Sequence, residues 1–374
     1  MAQQPYDPFR GRNNRPIGPK PPRRGLPLPA LVMLAVTPAL IVSAFVFWQM
    51  RGGEGPGPSV ASAGTEFPVE STAEALVSSL ASASPAANPP DAATPANAAP
   101  PTTLGLPVPD LSASAAVVVD DASMEVLYDL DAYSPRAPAS VTKMATAVVA
   151  MEHGRLDDIV TSTVHYWDLA YEGDSTTMGL VPGDKLTLRE LLYGLMLVSG
   201  NDAAKVIAEH VAGSEPAFVE KMNDLAERLG MKDTHFVTVD GLSAPGHASS
   251  PYDLVLLSRY LMRFPDLREI VGTVEHTAKG TRDGQPATYE LYNHNPLLGY
   301  TPGVDGIKTG YTEEAGRTFS LTAERNGHRV YIVLMDSTLR AEDAIALVDW
   351  AFANHIWPGD LDPPSPTPAP PLPQ

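Results

Sequence analysis

The 374-residue chain contains no cysteine. That single absence excludes a disulfide framework, a thiolate metal site and a cysteine nucleophile. A basic stripe with interleaved aromatics, the usual signature of nucleic-acid binding, is missing too. The formal net charge is −18; residues 1–51 hold Arg10, Arg12, Arg15, Lys20, Arg23, Arg24 and Arg51 against Asp7 alone, a local +6, so residues 52–374 carry −24. A body that acidic repels a phosphate backbone, and no nucleic-acid partner is expected. The 9 histidines include no HExxH pair, and His153, His210 and His235 lack partners at ligand spacing. Neither a metal nor another cofactor is expected. There is no internal repeat.

Charge is also absent from residues 26–50, which contain Leu31-Val32-Met33-Leu34 and the run from Ile41 to Trp48. As a helix this segment spans about 37 Å, more than a bilayer core of about 30 Å. Pro38 would kink it without preventing insertion. The alternative is a signal peptide cleaved near Ala61-Ser62-Ala63. That site lies far beyond the apolar run, which exceeds the signal core of about 7–15 residues, so a retained transmembrane anchor is the preferred reading. Residues 1–25 then form a basic cytoplasmic tail, and everything after Arg51 lies on the other side of the membrane.

Residues 51–105 are rich in Pro, Ala, Ser and Gly and read as a linker that cannot bury enough apolar surface to order itself. The Pro-rich stretch 358–374 is expected to be disordered as well. Between them, 106–357 reads as one domain. Ala115–Val119 and Met124–Tyr128 predict two strands around the polar turn Asp120–Ser123, and Asn326-Gly327 predicts a hairpin between 318–323 and 329–335. Apolar spacing near 3.6 predicts helices over 140–152, 187–198, 202–212, 215–229 and 251–263, with a last helix over 340–354. Strands, then helices, then strands and a helix imply an α+β fold. Its antiparallel sheet is formed from both ends of the domain, with a helical lobe inserted between them.

Three short peptides carry the chemistry: Ser140-Val141-Thr142-Lys143, Ser199-Gly200-Asn201 and Lys308-Thr309-Gly310. Pro138 precedes Ser140, which places the hydroxyl in a first helical turn near free backbone N–H groups. Lys143 returns to the same face one turn later. A desolvated lysine near a second cation can lose its proton and serve as a base for serine. Taken singly, each peptide has a plain structural reading: a helix cap with a surface lysine, a turn, a strand end. Lys-Thr-Gly or Ser-Gly-Asn should each occur by chance in about one chain in ten of this length. All three in this order are far rarer.

The set resembles the serine motifs of penicillin-binding proteins, and its glycine-centred second motif resembles the low-molecular-mass D-alanyl-D-alanine carboxypeptidases. The likeness extends through Ala139–Met144, Ser199–Ala203, Gly241 to Ser250 and Val304–Thr312. It implies a β-lactamase/transpeptidase-like fold and a peptidoglycan stem-peptide substrate, with β-lactam antibiotics as covalent inhibitors. It also implies roles. Ser140 would be the nucleophile, Lys143 its base and Ser199 a proton relay oriented with Asn201 and Lys308. Lys308, Thr309, Gly310 and Tyr311 would bind substrate, with the Ser140 and Tyr311 N–H groups as an oxyanion hole. With the anchor, it implies a bacterial cell-membrane protein, single-pass, whose catalytic domain is extracytoplasmic.

Rival readings are narrower. A class A β-lactamase needs a deacylating glutamate with an asparagine four residues later; Glu220 and Asn223 are three apart, and Glu227 is followed by Met231. A D,D-endopeptidase would use the same motifs on crosslinks. A non-catalytic peptidoglycan-binding module would not need Ser140, Lys143 and Lys308. Arg317 is a candidate for the substrate carboxylate or a plain surface arginine, and His247 is expected to hold a loop.

Overall fold

Ala115–Asp120 reads Ala-Ala-Val-Val-Val-Asp with every residue buried, the composition of a strand covered on both faces. Its side chains separate by the period of two. Ala115, Val117 and Val119 join one hydrophobic core, while Ala116 and Val118 join another. In the computed structural model residues 98–170 and 175–360 are described. The anchor expected over 26–50, the basic tail, most of the linker and the chain beyond Asp360 lie outside the described residues. Among the described residues no helix is long and apolar enough to cross a membrane.

The strands in chain order are β1 (Thr102–Thr103), β2 (Ala115–Asp120), β3 (Val126–Leu130), β4 (Ile159–Thr161), β5 (Lys185–Thr187) and β6 (Glu275–Arg282). They continue with β7 (Gln285–Tyr292), β8 (Val304–Thr312), β9 (Gly316–Arg325), β10 (His328–Met335) and β11 (His355–Ile356). A 3₁₀ turn over Ala139–Thr142 leads into helix α1 (Lys143–His153). The remaining helices are α2 (Tyr166–Ala170), α3 (Leu188–Met196), α4 (Asn201–Ala212), α5 (Glu215–Leu229), α6 (Pro251–Leu261), α7 (Pro265–Gly272) and α8 (Arg340–Asn354).

The central sheet has the order β3-β2-β10-β9-β8, antiparallel throughout. It is built from both ends of the domain, with the helices inserted between β3 and β8, as the sequence implied. Helix α8 covers one face through Leu347, Val348 and Ala351. The other face packs on α1 and α6. Helix α1 is buried from Lys143 through Glu152, which is why its pattern is apolar on nearly every side rather than striped. Local signals set the other ends: Thr187 caps α3 by accepting from the Glu190 N–H, and Ser250 caps α6 from Asp253 with Pro251 just inside.

Several features depart from the expectations, helices α2 and α7 among them. Thr102 and Thr103, assigned to the linker, pair with Ile356 and His355, so the ordered domain begins at β1. Two threonines alone carry no periodicity; they become a strand only because β11 offers an edge. A second sheet, β4-β5-β6-β7, was not anticipated at all. Its first two strands are only three residues each, too short to display an alternation, and its hairpin β6–β7 is largely exposed.

Candidate active site

Ser140 sits in the 3₁₀ turn at the entrance to α1, partly accessible, with Lys143 directly beneath it. The Lys143 side chain is fully buried. Its Nζ donates to Ser140 Oγ at 2.9 Å, to Asn201 Oδ1 at 2.7 Å and to the Asp240 carbonyl at 2.6 Å. Three acceptors match the three protons of an ammonium. Burial nevertheless pulls Lys143 down to about 8, against the opposing pull of the Asp240 and Asp202 carboxylates. A lysine with that balance is ionised or neutral at nearly equal cost near pH 8. In the neutral form its lone pair can take the Ser140 proton.

The turn carrying Ser140 is held from three sides. Ala139 adopts a left-handed φ of 51°, a conformation that costs an ordinary residue on the order of 1 kcal/mol. Gly241 crosses so close that a Cβ there would lie 2.0 Å from the Ala139 carbonyl oxygen. His247 closes the third side. Its Nδ1 accepts from the Val237 N–H at 2.9 Å, so its Nε2 is the N–H that donates to Thr142 Oγ1 at 2.8 Å. Burial pushes the His247 imidazolium down to about 4, and the ring is neutral at physiological pH. His247 therefore holds the loop that presents the Asp240 carbonyl to Lys143.

Ser199 lies between α3 and α4 at a left-handed φ of 62°. Its Oγ is buried and has no hydrogen-bond partner among the described residues. The sequence reading expected it to be oriented with Asn201 and Lys308. The structure places Asn201 otherwise, with Oδ1 on Lys143 and Nδ2 donating to Ser175 Oγ at 2.9 Å. Asp202, which the sequence reading did not single out, organises the wall beside this motif. Its carboxylate accepts the backbone N–H groups of Met178, Gly179, Leu180 and Ala203, each at 2.9 Å. Desolvation raises the Asp202 carboxyl, and those backbone donors oppose it.

Strand β8 is the outer strand of the central sheet and carries the third motif. Lys308 is buried, with Nζ donating to the Thr309 carbonyl at 2.9 Å. Its ammonium is depressed well below the ordinary range by burial, then by Lys143 and Arg340. Gly310 explains itself. A Cβ there would lie 2.3 Å from Thr318 Oγ1 and 2.9 Å from the Ser140 nitrogen, so only glycine lets the strand approach Ser140 this closely. Thr318 Oγ1 in turn donates to the Pro138 carbonyl at 3.0 Å, tying β9 to the same turn. Tyr311 is exposed at the rim.

Arg317 is exposed and donates to the Thr338 carbonyl at 3.3 Å. The cation that reaches β8 is Arg340, missed in the sequence, whose Nη1 donates to the Gly310 carbonyl at 3.0 Å. Nothing local marks Arg340, because it lies at the start of α8 and meets β8 only through the fold. Lys143 and Arg340 lie close enough to Lys308 to lower its proton affinity, and Lys308 and Arg340 both donate to backbone carbonyls of β8. Three cations so close together suit an anionic ligand. Among the described residues no cluster could hold a metal ion.

Residues 102–338 match the family described as D-alanyl-D-alanine carboxypeptidase. DacF of Bacillus subtilis, a D-alanyl-D-alanine carboxypeptidase, is 33% identical over 251 residues, covering 65% of this chain and 63% of the relative. DacB2 of Mycobacterium tuberculosis, of the same description, is 36% identical over 256 residues, covering 66% and 85%. The chain thus spans just under two thirds of DacF. Among solved structures, the Streptomyces K15 DD-transpeptidase superposes with a TM-score of 0.63 at 31% identity, covering 66% of this chain and 100% of that one. The expected transpeptidase-like α+β fold is the one observed.

Proposed function

The chain belongs to the D-alanyl-D-alanine carboxypeptidase family, and on that premise we propose that it is a serine peptidase removing the terminal D-alanine from peptidoglycan stem peptides through an acyl-enzyme on Ser140. The observation that carries this reading is the Lys143 ammonium, buried among acceptors with Ser140 Oγ 2.9 Å away and drawn down to about 8. Neutral Lys143 takes the hydroxyl proton as Ser140 Oγ bonds to the carbonyl carbon between the two D-alanines. The developing oxyanion meets the N–H groups of Ser140 and Tyr311. The C–N bond then breaks, and the leaving amine of D-alanine takes a proton. Ser199 is suited to relay it, because its buried Oγ is committed to no protein partner. Water then attacks the ester; Lys143 takes the water's proton and passes it to the departing Ser140 Oγ, which restores the neutral lysine and the serine hydroxyl.

The substrate would lie along β8 as an added strand, with its terminal carboxylate near Lys308, Thr309 and Arg340. β-Lactams, which present a carboxylate beside a reactive carbonyl, would acylate Ser140 by the same route. The charge-free segment 26–50 supports a single-pass anchor in the bacterial cell membrane, with the catalytic domain extracytoplasmic. Alkaline extraction of membranes would leave the full chain in the pellet if that is right, and release it if not.

The test of the chemistry uses the full chain. Wild type releases D-alanine from a pentapeptide and is labelled covalently by penicillin; Ser140→Ala loses both. Labelling that persists in Ser140→Ala would refute the assignment. A crosslinked dimer in the same assay separates stem trimming from crosslink cleavage.

A further inference from the structure

Arg259, Arg263, Arg268, Arg329, Asp121 and Tyr331 line a cavity of about 190 Å³ that the chemistry at Ser140 does not use. Its arginines arrive from separate segments: Arg259 from α6, Arg263 from the turn after it, Arg268 from α7 and Arg329 from β10. They concentrate positive charge at one place in a chain whose formal net charge is −18. Strand register sets the cavity apart from the nucleophile. Gly310, which approaches Ser140, pairs with Thr318, whereas Tyr331 pairs with Thr322. At roughly 3.3 Å per residue, the stretch of β9 from Thr318 to Thr322 measures about 13 Å.

Two of the arginines are held by carboxylates. Arg259 donates through Nε to Asp121 Oδ1 at 2.8 Å and through Nη2 to the Asp121 carbonyl at 3.2 Å, which leaves its Nη1 uncommitted among the described residues. Arg329 is clamped by Asp305 and Glu324. Arg268 is exposed and pairs with no carboxylate among the described residues. Tyr331 is only 2% exposed, yet its hydroxyl has no hydrogen-bond partner among the described residues. Burial holds its phenol above the ordinary range, and the charges of Asp121, Arg329, Arg259 and Asp305 all reach it. Tyr331 is therefore a neutral donor set among charged groups. A buried tyrosine hydroxyl ordinarily finds an acceptor, and guanidinium groups offer it only further donors. An anion seated between them satisfies the hydroxyl and the arginines together.

We propose that this cavity is a binding site for a phosphate group. A carboxylate presents its lone pairs in one plane, whereas the donors here come from α6, α7 and β10. The tetrahedral oxygens of a phosphate accept from several directions, and guanidinium forks match them bidentately. Free phosphate and the phosphodiester of a lipid headgroup share this chemistry. The site does not depend on the carboxypeptidase reading of Ser140.

Calorimetric titration of the detergent-solubilised full chain at low ionic strength tests it. Inorganic phosphate stands for the free ion and dimethyl phosphate for a headgroup diester; acetate matches the charge of the diester. Wild type should bind the better phosphate probe with a Kd at or below about 1 mM, and that probe identifies the source. Arg268→Gln and Tyr331→Phe should each weaken it at least about tenfold, the weight of one charge-assisted hydrogen bond. Both variants remove groups without a partner among the described residues, and Arg268→Gln alone decides the matter if Tyr331→Phe folds poorly. Penicillin bound at Ser140 should leave phosphate affinity unchanged. No phosphate binding in wild type, acetate bound as tightly as dimethyl phosphate, or an affinity unaltered in Arg268→Gln would overturn the site. Phosphate binding abolished by penicillin would move the anion to the cations around Lys308 and overturn it as well.

Discussion

Acylation of Ser140 should gain speed as the pH is raised through the titration of Lys143. The lysine moves from an ordinary 10.5 to about 8 because its side chain is fully buried, with Asp240 and Asp202 offsetting only part of the effect. With that value the neutral, proton-accepting fraction is about a tenth at pH 7 and about half at pH 8, so acylation should rise about fivefold over that one unit. Lys308 supplies the opposite limb: it must stay cationic to hold a carboxylate, yet its ammonium is also depressed, partly by Lys143. The profile is then a bell whose two apparent values belong to the pair. The second-order rate of labelling by a fluorescent penicillin, measured from pH 6 to 10, reads it directly. Lys308→Arg, with a charge that does not titrate in this range, should push the falling limb outward and leave the rising limb near pH 8. A rate that is flat or falls between pH 7 and 8 would refute the role given to Lys143. The same shift has a thermodynamic consequence. Below pH 8 the lysine is charged in both folded and unfolded states, and burying it costs about 3 kcal/mol. Between pH 8 and 10.5 the folded state releases its proton first, so that cost fades and stability rises with pH.

Two further outcomes follow from the geometry around the nucleophile. Gly310→Ala should cut penicillin acylation about a hundredfold, because the new methyl group forces β8 away from the Ser140 nitrogen; a folded variant that labels within about threefold of wild type would count against that contact. His247, held neutral by burial at about 4 against an ordinary 6.5, contributes stability that is complete above pH 6.5 and fades as pH falls toward 4, by about 3 kcal/mol. In His247→Gln that part of the acid slope should vanish from denaturant unfolding, and an unchanged slope would refute it.

Much of this arrangement was legible in the residues alone, and the reasons are local. Asn326-Gly327 places left-handed φ values where a tight hairpin needs them, and β9 and β10 do meet there. Ser140 and Lys143 are three apart, so helical geometry alone brings Oγ and Nζ together. Helix α8 spans the residues expected, 340–354. The sheet made from both ends of the domain followed from the order of strands and helices. The short strands β4 and β5 were invisible for the opposite reason: three residues cannot display a period.

Sequence by itself determined which groups can meet: a hydroxyl, a lysine one turn later, and a glycine where a strand must come close. It also determined that charge-bearing and apolar stretches divide the chain into a basic start, an uncharged segment, a linker and a domain. Tertiary structure alone decided what those groups are worth. Lys143 loses its proton more readily only because α1 is buried, while Asn201 and Asp240, 58 and 97 residues away along the chain, converge on its Nζ and hold it beneath Ser140. Arg340 joins β8 only because the last helix packs back over the sheet. Ser199 was expected to be oriented with Asn201 and Lys308; its buried Oγ makes no hydrogen bond to a described residue. Residue identity sets what a side chain can donate or accept. Desolvation and the positions of distant partners set its proton affinity, and those belong to the fold.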